Sequence, residues 1–334
     1  MNIMLENSMR AAPSSYVSNG MSQYSVAGTA LLDSVYQDMQ QPATFAEAFG
    51  RLFWGLRRLR SAMSTADWKK FAEQTCIQHP LCELIHQDPL TRRSYEKPRG
   101  YAGDALMLDF IYQIRSPQTS LEQTPLMGRR VHEYLMGAPA ACAVRNRRLI
   151  AAHKLDSVAE STPSPAVLSI ACGCLREASI SLLVQDSRFS RFIALDQDVE
   201  SLALVEQEYA QFGIEPRYGT VIDLLAGRTD LGTSEFDFIY ALGLYDYLSQ
   251  PVACRLTKCM FDMLRSGGSI LFGNFLPNIR DVGYMESFMG WKLIYRDIDE
   301  LANLGVDIPC DRIAAQETLM EGTRNIGLIE IVRK

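Results

Sequence analysis

Two patterns of apolar residues divide this chain. From about Leu31 to Lys154 the apolar positions recur at helical spacing, with no strong strand signal. Phe49, Phe53, Leu56 and Leu59 mark one face of a helix over 45–63, with Arg57, Arg58 and Arg60 between them. Shorter amphipathic pieces follow at 68–77, 81–85, 105–114 and 130–136, then a longer helix at 141–155 that carries Arg145, Arg147 and Arg148. Ser161-Thr-Pro-Ser-Pro165 is a polar, proline-bearing linker. Beyond it, short apolar runs at 167–171, 192–195, 215–218, 236–241, 269–273 and 327–332 read as strands with helices between them. This alternation predicts an α/β fold with a doubly wound parallel sheet, the last strand being a candidate to run antiparallel.

The first of those strands leads into the densest local signal. Val167 to Ala171 is an apolar run bounded by Pro165 and Gly173, as a buried parallel strand would be. Gly173 tolerates a backbone conformation that side chains oppose and allows a ligand close approach. Residues 177–185 continue with helical spacing, and Asp196 ends the second strand about 20 residues on, where an acid holds ribose hydroxyls in dinucleotide-binding folds. A pyrophosphate fingerprint needs three glycines, and only Gly173 is present. A ribose acid without a phosphate cradle points to a nucleoside ligand, of which S-adenosylmethionine (SAM) is the common one.

Other residues gather at the expected carboxyl edge of the sheet, where ligands lie in such folds. Asp198 either shares the ribose or caps the next helix. Asp223 either accepts from an adenine amino group or serves as a solvated cap. Tyr245, Asp246 and Tyr247 follow the loop marked by Gly243; their rings can face a sulfonium cation or cover a core edge. Asn274 and Phe275 end the fifth strand. Arg296 either forks a substrate carboxylate or pairs with Glu286. In the helical region, Lys97-Pro-Arg-Gly-Tyr-Ala-Gly-Asp104 is a turn by composition. It either is structural or closes over the ligand, with Arg99 near a carboxylate and Tyr101 near a sulfonium. The arginines of Ala143-Val-Arg-Asn-Arg-Arg148 either form a solvated face or reach the site.

Composition narrows the classes. With 334 residues the length suggests two domains: 31–160, a helical lid and substrate domain, and 161–334, the ligand-binding sheet. Residues 1–30, rich in Ser, Asn, Gln and Met, are expected to be a loosely ordered lead-in without a secretory signal. The net charge of −6 argues against non-specific nucleic-acid binding. No apolar run spans a bilayer. The eight cysteines include no C-x-x-C pair and the four histidines are scattered, so reduced thiols in a cytoplasmic protein without a metal are expected. The expected partner is a small-molecule substrate; the oligomeric state is left open.

From Val167 to about Lys334 the chain resembles the class I SAM-dependent methyltransferases. The resemblance rests on Ile170-Ala-Cys-Gly173, Asp196, Asp223, the segment 237–247 and Ser266-Gly-Gly268. A narrower resemblance covers most of the chain. Lys97 to Asp104, Val144-Arg-Asn-Arg147, Gly243-Leu-Tyr-Asp-Tyr247, Gly273-Asn-Phe275 and Trp291-Lys-Leu-Ile-Tyr-Arg296 are similar to a bacterial subgroup. That subgroup is typified by the 3-hydroxypalmitic acid methyl ester biosynthesis proteins of quorum sensing.

The resemblance implies a Rossmann-like doubly wound sheet with an N-terminal helical lid, and SAM as co-substrate. It implies that Ala171, Cys172, Gly173, Glu177, Asp196, Gln197, Asp223, Leu224, Leu242 and Gly243 surround SAM. Tyr101, Tyr245, Arg99 and Arg296 are the implied catalytic residues. The implied activity is methyl transfer to a small carboxylate-bearing metabolite, hydroxy fatty acids included. Two departures stand out: Ser169 replaces a frequent acid, and Cys174-Leu175 replaces a second glycine. The tighter turn suits relatives that are SAM lyases, cyclising SAM to azetidine-2-carboxylate and methylthioadenosine. A non-catalytic SAM-binding regulator is the third reading.

Overall fold

The computed structural model describes residues 15–229, 231 and 235–334. Among these residues eight α-helices come first: α1 (Ser15–Met39), α2 (Phe45–Ala62), α3 (Thr65–Lys70), α4 (Pro80–Ile85), α5 (Pro89–Glu96), α6 (Ala105–Tyr112), α7 (Leu126–Met136) and α8 (Pro139–Ser161). Their starts are written locally. Ser64, His79, Asp88 and Asp104 each accept a backbone N–H of the first turn, and Pro80, Pro89 and Pro139 open their helices. Helix α5 ends at Lys97 and α6 at Gln113, both left-handed.

The expected helices at 45–63, 81–85, 105–114, 130–136 and 141–155 are all present, several of them longer. The piece expected at 68–77 is split: α3 gives way to a π-helical turn, Phe71–Cys76. The expected loose lead-in is corrected in part. Residues 15–30 belong to α1, and residues 1–14 lie outside the described residues. Leu32, Val35 and Met39 of α1 are fully buried, and Gly55 of α2 has no Cβ where Leu31 packs. The Ser- and Gln-rich composition hid a helix that is held by packing on one stripe.

The sheet has seven strands: β1 (Ala166–Ile170), β2 (Arg191–Asp196), β3 (Ile214–Tyr218), β4 (Phe236–Ala241), β5 (Leu264–Phe275), β6 (Ile313–Met320) and β7 (Ile326–Arg333). Their order is β3-β2-β1-β4-β5-β7-β6. Strands β1 to β5 pair in parallel, and β7 runs antiparallel to both β5 and β6. Strand β6 was not expected. It is an edge strand with polar residues at several positions and no fully buried face, so it lacks the apolar run that betrays the others.

The remaining helices are α9 (Leu182–Gln185), α10 (Val199–Tyr209), α11 (Val221–Leu225), α12 (Gln250–Asp262), α13 (Val282–Ser287) and α14 (Ile298–Ala302). The helix expected at 177–185 is only a 3-10 turn followed by α9. Asp156 of α8 accepts from both Ser181 Oγ and the Leu183 N–H, which breaks the helix there.

Two apolar cores flank the sheet. On one face Val167, Phe192, Phe238, Leu271 and Leu328 pack with Phe49, Phe53, Leu56 and other residues of the helical region. On the other, Leu168, Ile193, Ile239 and Ile270 pack with Leu256, Met260 and Leu301 of α12 and α14. No helix of the described residues is long and apolar enough to cross a membrane.

Candidate functional site

The strand order reverses between β1 and β4, and ligands of open α/β sheets bind beyond the strand ends at such a point. There the turn after β1 is unusually twisted. Ala171, Gly173 and Leu175 all have positive φ, at 53°, 54° and 50°. A left-handed non-glycine costs on the order of 1–3 kcal/mol, a strain that tends to persist at functional sites. Asp196 holds the turn: Gly173 N–H donates to Oδ2 at 2.7 Å and Asp198 N–H to Oδ1 at 2.8 Å. Burial raises the Asp196 pKa, and these amide bonds oppose the rise.

A crevice of about 450 Å³ opens beside Asp196. Arg99, Tyr101, Ala171, Gly173, Gln197, Thr220, Gly243 and Tyr247 are among its walls. The segment after α5 forms its roof. Arg99 Nη1 donates to Asp198 Oδ2 at 2.6 Å and Nη2 to Glu200 Oε2 at 2.7 Å, so the roof is latched to the start of α10. Gly103 lies against Tyr247 and Trp291, whose Nε1 donates to the Tyr247 hydroxyl at 2.7 Å.

Ala171, Gly173 and Gly243 also line a second, inner chamber of about 70 Å³. Its walls include Tyr112, Arg147, Ser169, Glu177, Tyr240 and Leu242. Tyr240 donates to Glu177 Oε1 at 2.7 Å, and burial raises the Glu177 pKa.

Of the expected site residues, Arg99, Tyr101, Ala171, Gly173, Asp196, Gln197 and Gly243 meet at the crevice. Cys172, Glu177 and Leu242 line the inner chamber with Ala171, Gly173 and Gly243. Five expected roles need correction. Tyr245 is fully buried on the opposite face of the sheet, stacked on Phe272, with its hydroxyl on Thr257 at 2.9 Å. From this segment the ring that lines the crevice is that of Tyr247, two residues on. Arg296 is buried and braces loops, donating to Tyr245 O, Leu248 O, Asn274 Oδ1 and Gln250 Oε1. These bonds engage its whole guanidinium, and Glu286, the alternative partner, pairs with Arg60. Asp223 closes a capping box with Thr220 and pairs with Arg228 at 2.8 Å, which together lower its pKa. Asp223 is not among the crevice walls, which its neighbours Thr220 and Val221 line instead. Leu224 is core under the other sheet face. Arg99 spends both terminal nitrogens on acids and keeps only a buried Nε without a partner.

Tyr112 and Tyr240 were not among the expected site residues. Arg147 and Tyr247 sat inside singled-out motifs, but which arginine or tyrosine faces the ligand depends on helix rotation and loop path. Tyr112 and Tyr240 read as ordinary members of a helix and a strand. Among the described residues no group of three or more His, Cys, Asp or Glu is disposed to hold a metal ion.

No protein-family model matches the chain, and no curated protein matches it. Solved structures do. A possible exported protein from Bordetella parapertussis is similar over 97% of this chain and 99% of that chain, at 14% identity and a TM-score of 0.54. Magnesium protoporphyrin IX methyltransferase (ChlM) from Synechocystis PCC 6803 with bound SAH matches over 74% of this chain and 100% of its own, at 13% identity and a TM-score of 0.43. N-methyltransferase NodS from Bradyrhizobium japonicum WM9 matches over 56% and 96%, at 13% identity and 0.39. The fold is an α/β one, a mostly parallel seven-stranded sheet with an N-terminal helical region. The first similarity extends over that helical region as well.

Proposed function

We propose that this protein is a SAM-dependent methyltransferase acting on a small carboxylate-bearing metabolite. The observation that carries the reading is Asp196: a buried acid at the end of β2, fixed by two amides, on a crevice at the strand-order reversal. An ionised carboxylate so placed accepts from the two hydroxyls of a ribose. SAM would supply a methyl group on a sulfonium, which an acceptor carboxylate attacks while the electron pair of the broken C–S bond stays on sulfur. This chain's residues position and shield. Tyr101 and Tyr247 offer ring faces to a cation, an attraction of about 1–2 kcal/mol where water is excluded. The latched roof keeps water out and holds the reacting atoms in line. A carboxylate is already ionised at neutral pH, so no general base is required.

Crevice and chamber together are the size of one nucleoside-sized ligand, since drug-sized pockets start at roughly 300 Å³. A long acyl acceptor would have to extend beyond this space. The same tightness favours a second reading, cyclisation of SAM by its own amine. There the nitrogen lone pair attacks the γ-carbon, the C–S bond breaks, methylthioadenosine leaves and the nitrogen loses a proton.

The test is incubation of the full chain with SAM alone, resolved by mass spectrometry. Bound, unchanged SAM followed by S-adenosylhomocysteine release on adding small carboxylates supports methyl transfer. Methylthioadenosine with a cyclic amino acid overturns it in favour of the lyase. No binding of SAM overturns both.

A further inference from the structure

Away from the crevice, α7 turns a stripe of side chains onto a groove of about 940 Å³. Arg129, His132, Glu133 and Met136 stand at i, i+3, i+4 and i+7, one face of the helix. The end of α6 and the segment 115–122 form the other walls. Groove and crevice share no wall residue: Ala105 and Leu108 of α6 line the crevice, whereas Phe110 of α6 lines the groove. Ligand pockets run to about 300–1,000 Å³, so the groove has the size of a site in its own right.

His132 is the one buried polar side chain among these walls, at 8% exposure. It is held by an acid that the fold has already fixed. Asp88 is fully buried at the start of α5, where Thr91 N–H donates to Oδ2 at 2.8 Å and Leu90 N–H to Oδ1 at 3.3 Å. His132 Nδ1 lies 2.9 Å from the same Oδ1. A carboxylate that accepts two amides accepts from the ring as well, so Nδ1 carries a hydrogen and Nε2 is the atom left over. Phe110 meets the ring edge-on, with centroids 5.9 Å apart, and sets its plane. Among the described residues no protein atom bonds to Nε2, and Nε2 is not among the polar atoms sealed without a partner. It opens on the groove.

The rest of the groove says what would meet it. Phe110, Leu121 and Met136 supply apolar wall. Arg115, Arg129, Glu122 and Glu133 are exposed, and among the described residues none of the four is ion-paired. Two charges of each sign leave no net field to select an ion. An apolar wall with one fixed polar atom selects a neutral apolar body with one polar group. A hydroxyl is donor and acceptor at once, so it meets Nε2 in either protonation state of the ring.

We propose that the groove between α6 and α7 is a second ligand site, separate from the crevice, for a neutral apolar molecule whose hydroxyl bonds to His132 Nε2. The proposal does not depend on what the crevice binds.

The test is nuclear magnetic resonance of the full chain with its four histidines labelled with nitrogen-15. It is titrated with phenol and, separately, with toluene, which keeps the ring and lacks the hydroxyl. The expected result is a saturable phenol shift in the low-millimolar range at Nε2 of a single histidine, with toluene weaker by about tenfold, the scale of one hydrogen bond. His132→Gln should remove that signal and leave the other three histidines at their wild-type positions, which reports an intact fold. Met136→Trp fills the groove from the same stripe and spares the Asp88 pair, so it should abolish the phenol shift while the His132 signal remains. Equal affinity for toluene and phenol overturns hydroxyl recognition and reduces the groove to an apolar surface. No saturable shift at His132, or a phenol shift that survives Met136→Trp, overturns the site.

Discussion

Gly173 donates its backbone N–H to Asp196 Oδ2 at 2.7 Å, so the strained turn after β1 and the acid ending β2 are one unit. The same carboxylate that would hold a ribose also holds the backbone on which the ligand rests. Asp196→Ala is therefore expected to act twice. It removes a ligand contact, and it orphans two part-buried amides at about 1 kcal/mol each. Thermal melts read the second effect and SAM titration the first; a normal melting point with normal SAM affinity would refute the assignment. Burial raises the Asp196 pKa, and the ionised form, an acceptor at both oxygens, is the one that accepts from both ribose hydroxyls. SAM affinity should be flat at neutral pH and fall with acidification, starting at a higher pH than for an ordinary aspartate.

Gly103 is held to glycine by space. A Cβ there would collide with the Tyr247 hydroxyl and approach Trp291 Nε1 to 3.2 Å. Gly103→Ala should lift the roof from Tyr247, raising KM for SAM about tenfold while leaving the fold intact. Steady-state kinetics and far-ultraviolet circular dichroism separate the two.

Tyr245 and Tyr247 offer a paired comparison. Tyr245 is fully buried and stacked on Phe272, so Tyr245→Ala should cost about 3–5 kcal/mol of stability. Tyr247 is partly exposed on the crevice, so Tyr247→Leu should lower kcat with a small loss of stability. Urea unfolding and turnover of both variants decide; the reverse pattern would put Tyr245 back at the sulfonium.

The Arg99–Asp198 latch joins side chains that are 12% and 10% exposed. Removing one partner leaves the other charge poorly solvated, so Arg99→Ala should destabilise by about 3 kcal/mol. The double variant with Asp198→Ala should be less destabilised than the sum, with about 1–3 kcal/mol of coupling. Additive losses in urea unfolding would show that the latch contributes nothing.

Asp246 is buried between loops, and burial pushes its pKa up to about 6 against the amide of Phe275 and the charges of Arg147 and Arg296. In the unfolded chain it titrates near 3.8. The folded state thus keeps its proton to higher pH than the unfolded state. Stability from this group is highest below about pH 4, declines as pH rises to about 6, and is level above. The change is on the order of 1–3 kcal/mol. Asp246→Asn should flatten that decline in melts taken across the same window.

Much of the architecture was legible because buried parallel strands are nearly continuous apolar runs. Six of the seven strands announced themselves in this way, and the polar edge strand β6 did not. Asp196 and Gly173 were legible because their roles depend on backbone geometry close in sequence. Tyr245, Arg296 and Asp223 were misplaced for a common reason: their sequence position at the carboxyl edge was right, but the direction of the side chain was set by tertiary packing. A strand end offers two faces, and Phe272 and Thr257 captured Tyr245 on the far one. Arg147 was hidden among Arg145, Asn146 and Arg148, and only their separate anchors on Met136 O, Glu321 and Arg176 O reveal which one faces the chamber.

The shared core bears on how the molecule comes apart. Val167, Phe192, Phe238, Leu271 and Leu328 of the sheet are covered by the same cluster that holds Phe49, Phe53 and Leu56. The helices are thus half of the sheet's shelter and cannot swing away as a hinged cap. Cutting the gene at the proline-bearing linker would leave an entire apolar sheet face wet, an aggregation surface. The intact chain should melt in a single calorimetric transition, and ligand entry is left to movements no larger than the short roof segment between α5 and α6.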